Sequence, residues 1–106
     1  MRKAIRYKDR DIRMKCTEMS HSSIGGEYEI GFSKKLDLNL ERIAENLKVA
    51  GYELEKLTNR SLSLIYKNSA ITILKKGSIL IQDLLPDTFI EAVKIGEEVI
   101  HAEQKN

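Results

Sequence analysis

Nucleophilic, acid–base and metal chemistry are built from cysteines, histidines and converging carboxylates, and this chain carries few of them. Its one cysteine, Cys16, stands near His21 in the sequence. A thiol beside an imidazole is the pattern of an activated nucleophile. Cys16 falls in an extended, alternating run, however, where a lone cysteine reads as a packing residue. His101 lies close to the end of an expected helix, where a cation near the last carbonyls has a structural role. Glu97 and Glu98 are sequence neighbours that do not face each other on a helix, so they make no acid–base pair. Gly25-Gly26 lacks the strand–turn–helix setting and the Lys-Ser/Thr signature of a phosphate loop. With two histidines and one cysteine, the chain has no obvious ligand set for a metal. The expectation is a protein that is not an enzyme, with no metal and no cofactor.

Charge says more than reactivity. Eighteen Lys and Arg face sixteen Asp and Glu, a formal +2, but their distribution is uneven. Residues 1–15 hold seven cations (Arg2, Lys3, Arg6, Lys8, Arg10, Arg13, Lys15) against Asp9 and Asp11, a local +5. Residues 56–82 hold Lys56, Arg60, Lys67, Lys75 and Lys76 and no acid, another +5. The last twenty residues hold Asp87, Glu91, Glu97, Glu98 and Glu103 against Lys94 and Lys105, or −3. Such polarity steers an anionic partner toward one side. The plainer reading is a solvated, mixed-charge surface.

The elements that must position these groups follow from hydrophobic period. Residues 1–20 read as one or two strands, with Ile12, Met14 and Cys16 alternating against Arg13, Lys15 and Thr17, and with a turn at Lys8-Asp9-Arg10-Asp11. Residues 21–26 read as a loop and 27–32 as a strand with Tyr28, Ile30 and Phe32 inward. Leu40, Ile43, Ala44, Leu47 and Ala50 then form one helical stripe, capped by Asp37 or Asn39 and ended by Gly51. The period returns to two over 52–57, 61–67, 70–75 and 78–84, separated by short turns at Asn59, Asn68-Ser69 and Lys76-Gly77, which favours consecutive hairpins. Pro86-Asp87 stops the sheet. Asp87 caps a second helix with Phe89, Ala92, Val93, Gly96 and Ile100 on its buried stripe. Glycine inside a helix costs about 1 kcal/mol relative to alanine, so close packing is expected at Gly96.

The 106 residues, 42% apolar with one proline, suit a single domain over 1–106. Residues 1–26 form an extended N-terminal arm, or an extra strand and loop, and 27–106 the core. One cysteine excludes an internal disulfide. No apolar run is long enough to span a bilayer, and the basic start, Met1 to Arg6, is not followed by the apolar stretch of a signal peptide. No membrane partner and a cytoplasmic setting are expected. The fold class is α+β: an antiparallel sheet of about five or six strands with two helices on one face, ordered β-α-β4-α.

Strand parity sorts the hairpin residues into two sets. Leu62, Leu64, Ile71, Ile73, Ile79 and Ile81 belong under the helices. Ser63, Ile65, Lys67, Thr72, Leu74, Lys76, Leu80 and Gln82 face the other way, where no helix remains to cover them. This second set has no acid, and its apolar members Ile65, Leu74 and Leu80 suggest a partner face. The alternatives are scattered exposed aliphatics or cover by the N-terminal strand.

The run Lys35-Leu36-Asp37-Leu38, the helix after it and Ala50-Gly51-Tyr52 resemble the first part of one repeat of the TATA-binding protein. Residues 70–75, the Lys76-Gly77 turn, 78–82 and the helix from Asp87 resemble the rest, so that roughly residues 27–101 are covered. The resemblance is to a single repeat's fold and not to a TATA-binding protein as such. It implies strand, helix, four strands, helix, with Thr72, Leu74, Leu80 and Gln82 at positions that face DNA in that family. Leu74 stands where the family has a phenylalanine wedge, a second wedge has no counterpart near 57–62, and the groove-reading asparagine falls near Gly25. One repeat would need a dimer to form a saddle.

The first functional expectation is therefore a small nucleic-acid-binding module, for DNA or RNA, using the open sheet face with Arg60, Lys67, Lys75 and Lys76 on phosphates. The second is a module that buries the same face in a homodimer or against another protein. A small-ligand pocket between sheet and helix stands third, on fold analogy alone.

Overall fold

The computed structural model describes residues 1–105, with the side chains of His21 and Ser22 outside the description. Seven strands and two helices follow the order β1 (Arg2–Tyr7), β2 (Arg10–Ser22), β3 (Gly25–Phe32), α1 (Leu40–Val49), β4 (Glu53–Leu57), β5 (Ser61–Tyr66), β6 (Ser69–Leu74), β7 (Ile79–Leu84) and α2 (Phe89–Gln104). All seven strands join one sheet in the order β1-β2-β3-β7-β6-β5-β4, and every neighbouring pair is antiparallel.

The sheet thus exceeds the five or six strands expected, because the N-terminal segment forms a full hairpin. β1 pairs with β2 from Arg2↔Lys15 to Tyr7↔Arg10. The turn is only Lys8-Asp9, both at positive φ (48° and 62°), as a two-residue hairpin with right-handed strand twist demands. Lys67-Asn68 makes the same turn between β5 and β6 (φ 49° and 69°), so Ser69 belongs to a strand and not to the turn. Gly25 and Gly26, read as loop, begin β3.

Parity holds across the sheet. Leu62, Leu64, Ile71, Ile73, Ile79 and Ile81 are all buried beneath the helices, and Tyr7, Ile12, Met14, Cys16, Tyr28 and Ile30 extend the same core through the added hairpin. At Gly96 α2 comes close to the sheet. A Cβ there would lie 2.7 Å from Ile30 Cδ1 and 2.9 Å from Met14 Sδ, so the helix lies against the sheet as expected. α1 is capped by Asn39, whose side chain accepts from the Arg42 N–H at 3.0 Å. α2 is capped by Thr88, which accepts from Glu91 N–H at 3.2 Å. Asp87 is not the cap: its carboxylate accepts from the Tyr28 hydroxyl at 2.6 Å and ties the start of α2 to β3.

Residues 33–39 connect β3 to α1 as a strap along one end of the sheet. Leu36 and Leu38 are buried, and their backbone N–H groups donate to the carbonyls of Lys76 and Lys75 at 3.0 and 2.8 Å. Leu36 packs 3.2 Å from where a Cβ on Gly77 would sit, and Gly77 itself turns the chain at φ 119°. The Lys-Leu-Asp-Leu run is therefore an extended, alternately buried segment that closes the β6–β7 turn.

Candidate functional site

The sheet's second face is free of helices. The N-terminal segment extends the sheet at the β2–β3 side and does not fold over this face, so cover by that strand is excluded. Register puts Ser63 beside Thr72 and Thr72 beside Leu80, with Ile65 beside Ala70 and Ala70 beside Gln82. Six expected residues, Ser63, Ile65, Thr72, Leu74, Leu80 and Gln82, thus share one contiguous surface. Leu80 is 38% exposed, and Ser63, Ile65, Thr72 and Leu74 are half-buried by their neighbours. No carboxylate faces outward from these positions on β5, β6 and β7.

The expected phosphate-contacting cations divide. Arg60, Lys75 and Lys76 converge with Lys35 around a depression of about 650 Å³ at the Gly77 end, whose floor includes Leu36 and Leu74. Lys67 lies at the other end of β5, six residues from Ser61, or ~20 Å at ~3.3 Å per residue. Its ammonium sits 5.2 Å from the Tyr66 ring centroid. Lys75 is engaged as well: Nζ lies 2.9 Å from Asp37 Oδ1 and donates to the Leu38 carbonyl at 3.2 Å. Its hydrogen bond and charge hold the exposed Asp37 carboxyl below its ordinary 3.8. Among the described residues, no ion pair engages Lys35, Arg60 or Lys76. Lys35 was missed because it precedes the helix in sequence. Only the strap's path along β6 brings it beside Arg60.

Reactive side chains are placed differently. Cys16 is buried in the core, where desolvation raises the thiol above its ordinary 9.0 and disfavours the thiolate. The His21 side chain lies outside the described residues. His101 is exposed in the last turn of α2. Glu97 accepts from Lys3 Nζ at 2.7 Å, and Glu98 from the Tyr52 hydroxyl at 3.3 Å. Among the described residues, no three His, Cys, Asp or Glu side chains converge as metal ligands.

One buried acid escaped the sequence reading. Glu103 is 2% exposed and accepts from the Asn39 backbone N–H through Oε2 at 2.9 Å. It thereby sets a carboxylate against the positive end of α1. Its Oε1 and the buried Tyr7 hydroxyl have no hydrogen-bond partner among the described residues. Burial, and then the charge of Glu103, raise the Tyr7 hydroxyl above its ordinary 10.0.

Among the described residues, no helix is long and apolar enough to cross a membrane. Comparison with protein-family models, curated proteins and solved structures finds no significant match to this chain.

Proposed function

We propose that the protein is a small, cytoplasmic, non-enzymatic nucleic-acid-binding module that uses the open face of its sheet, in the manner of a single TATA-binding-protein-like repeat extended by a hairpin. The observation that carries this reading is the acid-free set of outward residues Ser63, Ile65, Thr72, Leu74, Leu80 and Gln82 on β5, β6 and β7, with Arg60, Lys76 and Lys35 gathered at its Gly77 end. Small and apolar side chains there let a partner approach closely, and the cations supply the sequence-independent attraction to phosphates. The order strand, helix, four strands, helix over residues 25–104 supports the repeat-like reading.

Fluorescence anisotropy against labelled duplex DNA, single-stranded DNA and RNA, at two salt concentrations, tests it. Micromolar or tighter binding that weakens with salt and with Arg60→Glu/Lys76→Glu is the expected result. No binding to any probe at low salt would overturn it.

The exposed Leu80, with half-buried Ile65 and Leu74 on the same face, favours a second reading in which the face pairs two copies of the chain. Sedimentation as a dimer, with Leu80→Asp returning a monomer, would support it.

A further inference from the structure

The β1–β2 hairpin has an open face of its own. Ile12, Met14 and Cys16 point into the core, so Arg13, Lys15 and Thr17 point outward, and register sets Arg2 beside Lys15 and Ala4 beside Arg13. Lys15 in turn pairs with Gly31 of β3, and Thr17 with Glu29. Arg2, Arg13, Lys15 and Glu29 surround a depression of about 380 Å³ that Gly31 floors. A Cβ added at Gly31 would meet nothing within 4 Å. A strand glycine with open space above it lets a ligand come close to the backbone. Three cations meet one carboxylate there, and no ion pair engages Arg2, Arg13 or Lys15 among the described residues.

This depression lies at the same end of the sheet as the Arg60–Lys76 cluster. Ile30 pairs with Ile79 and Ile73 pairs with Ile79, which continues the row Lys15–Gly31 through Ser78 to Leu74 and Ser61. From β2 to β6 is three strand spacings, or ~14 Å at ~4.8 Å each. The ground between the clusters is Gly31, Ser78, Leu74 and Ser61, all small or uncharged. That separation is comparable with the ~12 Å width of a major groove, so phosphates on its two sides can reach the two clusters.

The aromatic residues decide between duplex and single strand. Binding of unpaired bases rests on rings that stack with them. Five of the six Phe and Tyr rings are committed elsewhere: Tyr7, Tyr28 and Tyr52 lie in the core, and Tyr66 and Phe89 pack against it. The sixth, Phe32, lines the depression but is itself half-buried against the core, so no row of exposed rings is left to stack successive bases.

We propose that Arg2, Arg13 and Lys15 form a second phosphate-binding subsite above Gly31, and that with Lys35, Arg60 and Lys76 they hold two points on the backbone of one nucleic-acid duplex. The proposal rests on the nucleic-acid reading above but concerns different residues. Its test is anisotropy of a labelled 16-base-pair duplex, and of one of its strands, with the native protein, Arg13→Ala/Lys15→Ala, Arg60→Ala/Lys76→Ala and the distant control Lys67→Ala. Thermal melts confirm that each variant folds. The expected result is that the duplex binds more tightly than the strand. Each double variant should weaken duplex binding about tenfold and lower the salt slope by roughly 1.8, or ~0.9 per lost phosphate contact, with Lys67→Ala unchanged. Native affinity and slope in Arg13→Ala/Lys15→Ala, with Arg60→Ala/Lys76→Ala weakened, overturn the subsite and leave the nucleic-acid reading standing. Tighter binding of the strand overturns the duplex assignment. Absence of binding to both probes overturns subsite and reading together.

Discussion

Asp87 shows how one side chain can carry a connection that its sequence neighbours do not announce. It stands where a helix cap is expected, yet its carboxylate takes the Tyr28 hydroxyl, and Thr88 caps the helix. Tyr28 is buried, and desolvation, followed by its hydrogen bond to Asp87, raises its hydroxyl well above the ordinary 10.0. Tyr52 and Tyr7 are raised too, by burial first and then by Glu98 and Glu103 respectively. A group whose folded pKa lies above its unfolded value contributes stability that is complete below the unfolded value and lost as pH rises beyond it. Urea midpoints should therefore hold up to about pH 10, the ordinary tyrosine value, and then fall steeply. Tyr52→Phe should make that fall shallower, and an unchanged alkaline slope in the variant would contradict the assignment. The same corner constrains Gly25. At φ 138°, a Cβ would lie 2.6 Å from the Asp83 carbonyl carbon, and backbone cannot step aside as a side-chain tip can. Gly25→Ala should cost on the order of 2 kcal/mol or more in chemical denaturation.

At the level of elements, periodicity carries furthest where one face is buried. The six residues assigned under the helices from β5 to β7 all lie there, because a one-residue slip would turn each of them to solvent. The α1 stripe is legible for the same reason, with Leu40, Ile43, Ala44 and Leu47 buried. Less legible is what depends on chain path. Residues 33–39 have no regular structure, so neither their lodging against β6 nor the meeting of Lys35 with Arg60 follows from local pattern. The first hairpin turn is two residues shorter than the expected Lys8–Asp11, and the Lys67-Asn68 turn lies one residue before the expected Asn68-Ser69, because Lys, Asp and Asn at positive φ resemble ordinary polar loop residues in sequence. Asn39 joins the two kinds of information: its side chain caps α1, and its backbone N–H donates to the buried Glu103 of α2. Asn39→Ala should cost ~1 kcal/mol through the lost cap alone. Glu103→Ala should cost ~1–3 kcal/mol, because it leaves the Asn39 N–H unpaired in a partly buried setting. Glu103→Gln keeps an acceptor there and should recover most of that loss, which thermal melts of the three variants can rank.

Across the whole molecule, the two basic segments seen in sequence become two clusters at one end of one face, whereas the acidic C-terminal segment lies in a helix on the other. Neither cluster is the simple run of charge that the sequence shows. Lys67 is drawn away by the β5–β6 turn, Lys75 is held by Asp37, and Lys3 reaches to Glu97 on the helix side. The cations left over are those that parity and the strap turn outward. Carboxylates interrupt this face at Asp11, which is paired with Arg6, at Glu53 beside Ile65, and at Glu29, which lies between Lys15's depression and Leu80. In the duplex reading Glu29 opposes phosphate approach, since like charges within a Debye length repel and salt relieves the repulsion. Glu29→Gln should therefore tighten duplex binding several-fold at low salt and progressively less as salt rises. If the face instead pairs two copies of the chain, the same substitution should leave duplex titrations unmoved and shift the sedimentation equilibrium. The two measurements on this one variant separate a surface that meets phosphate from a surface that meets itself.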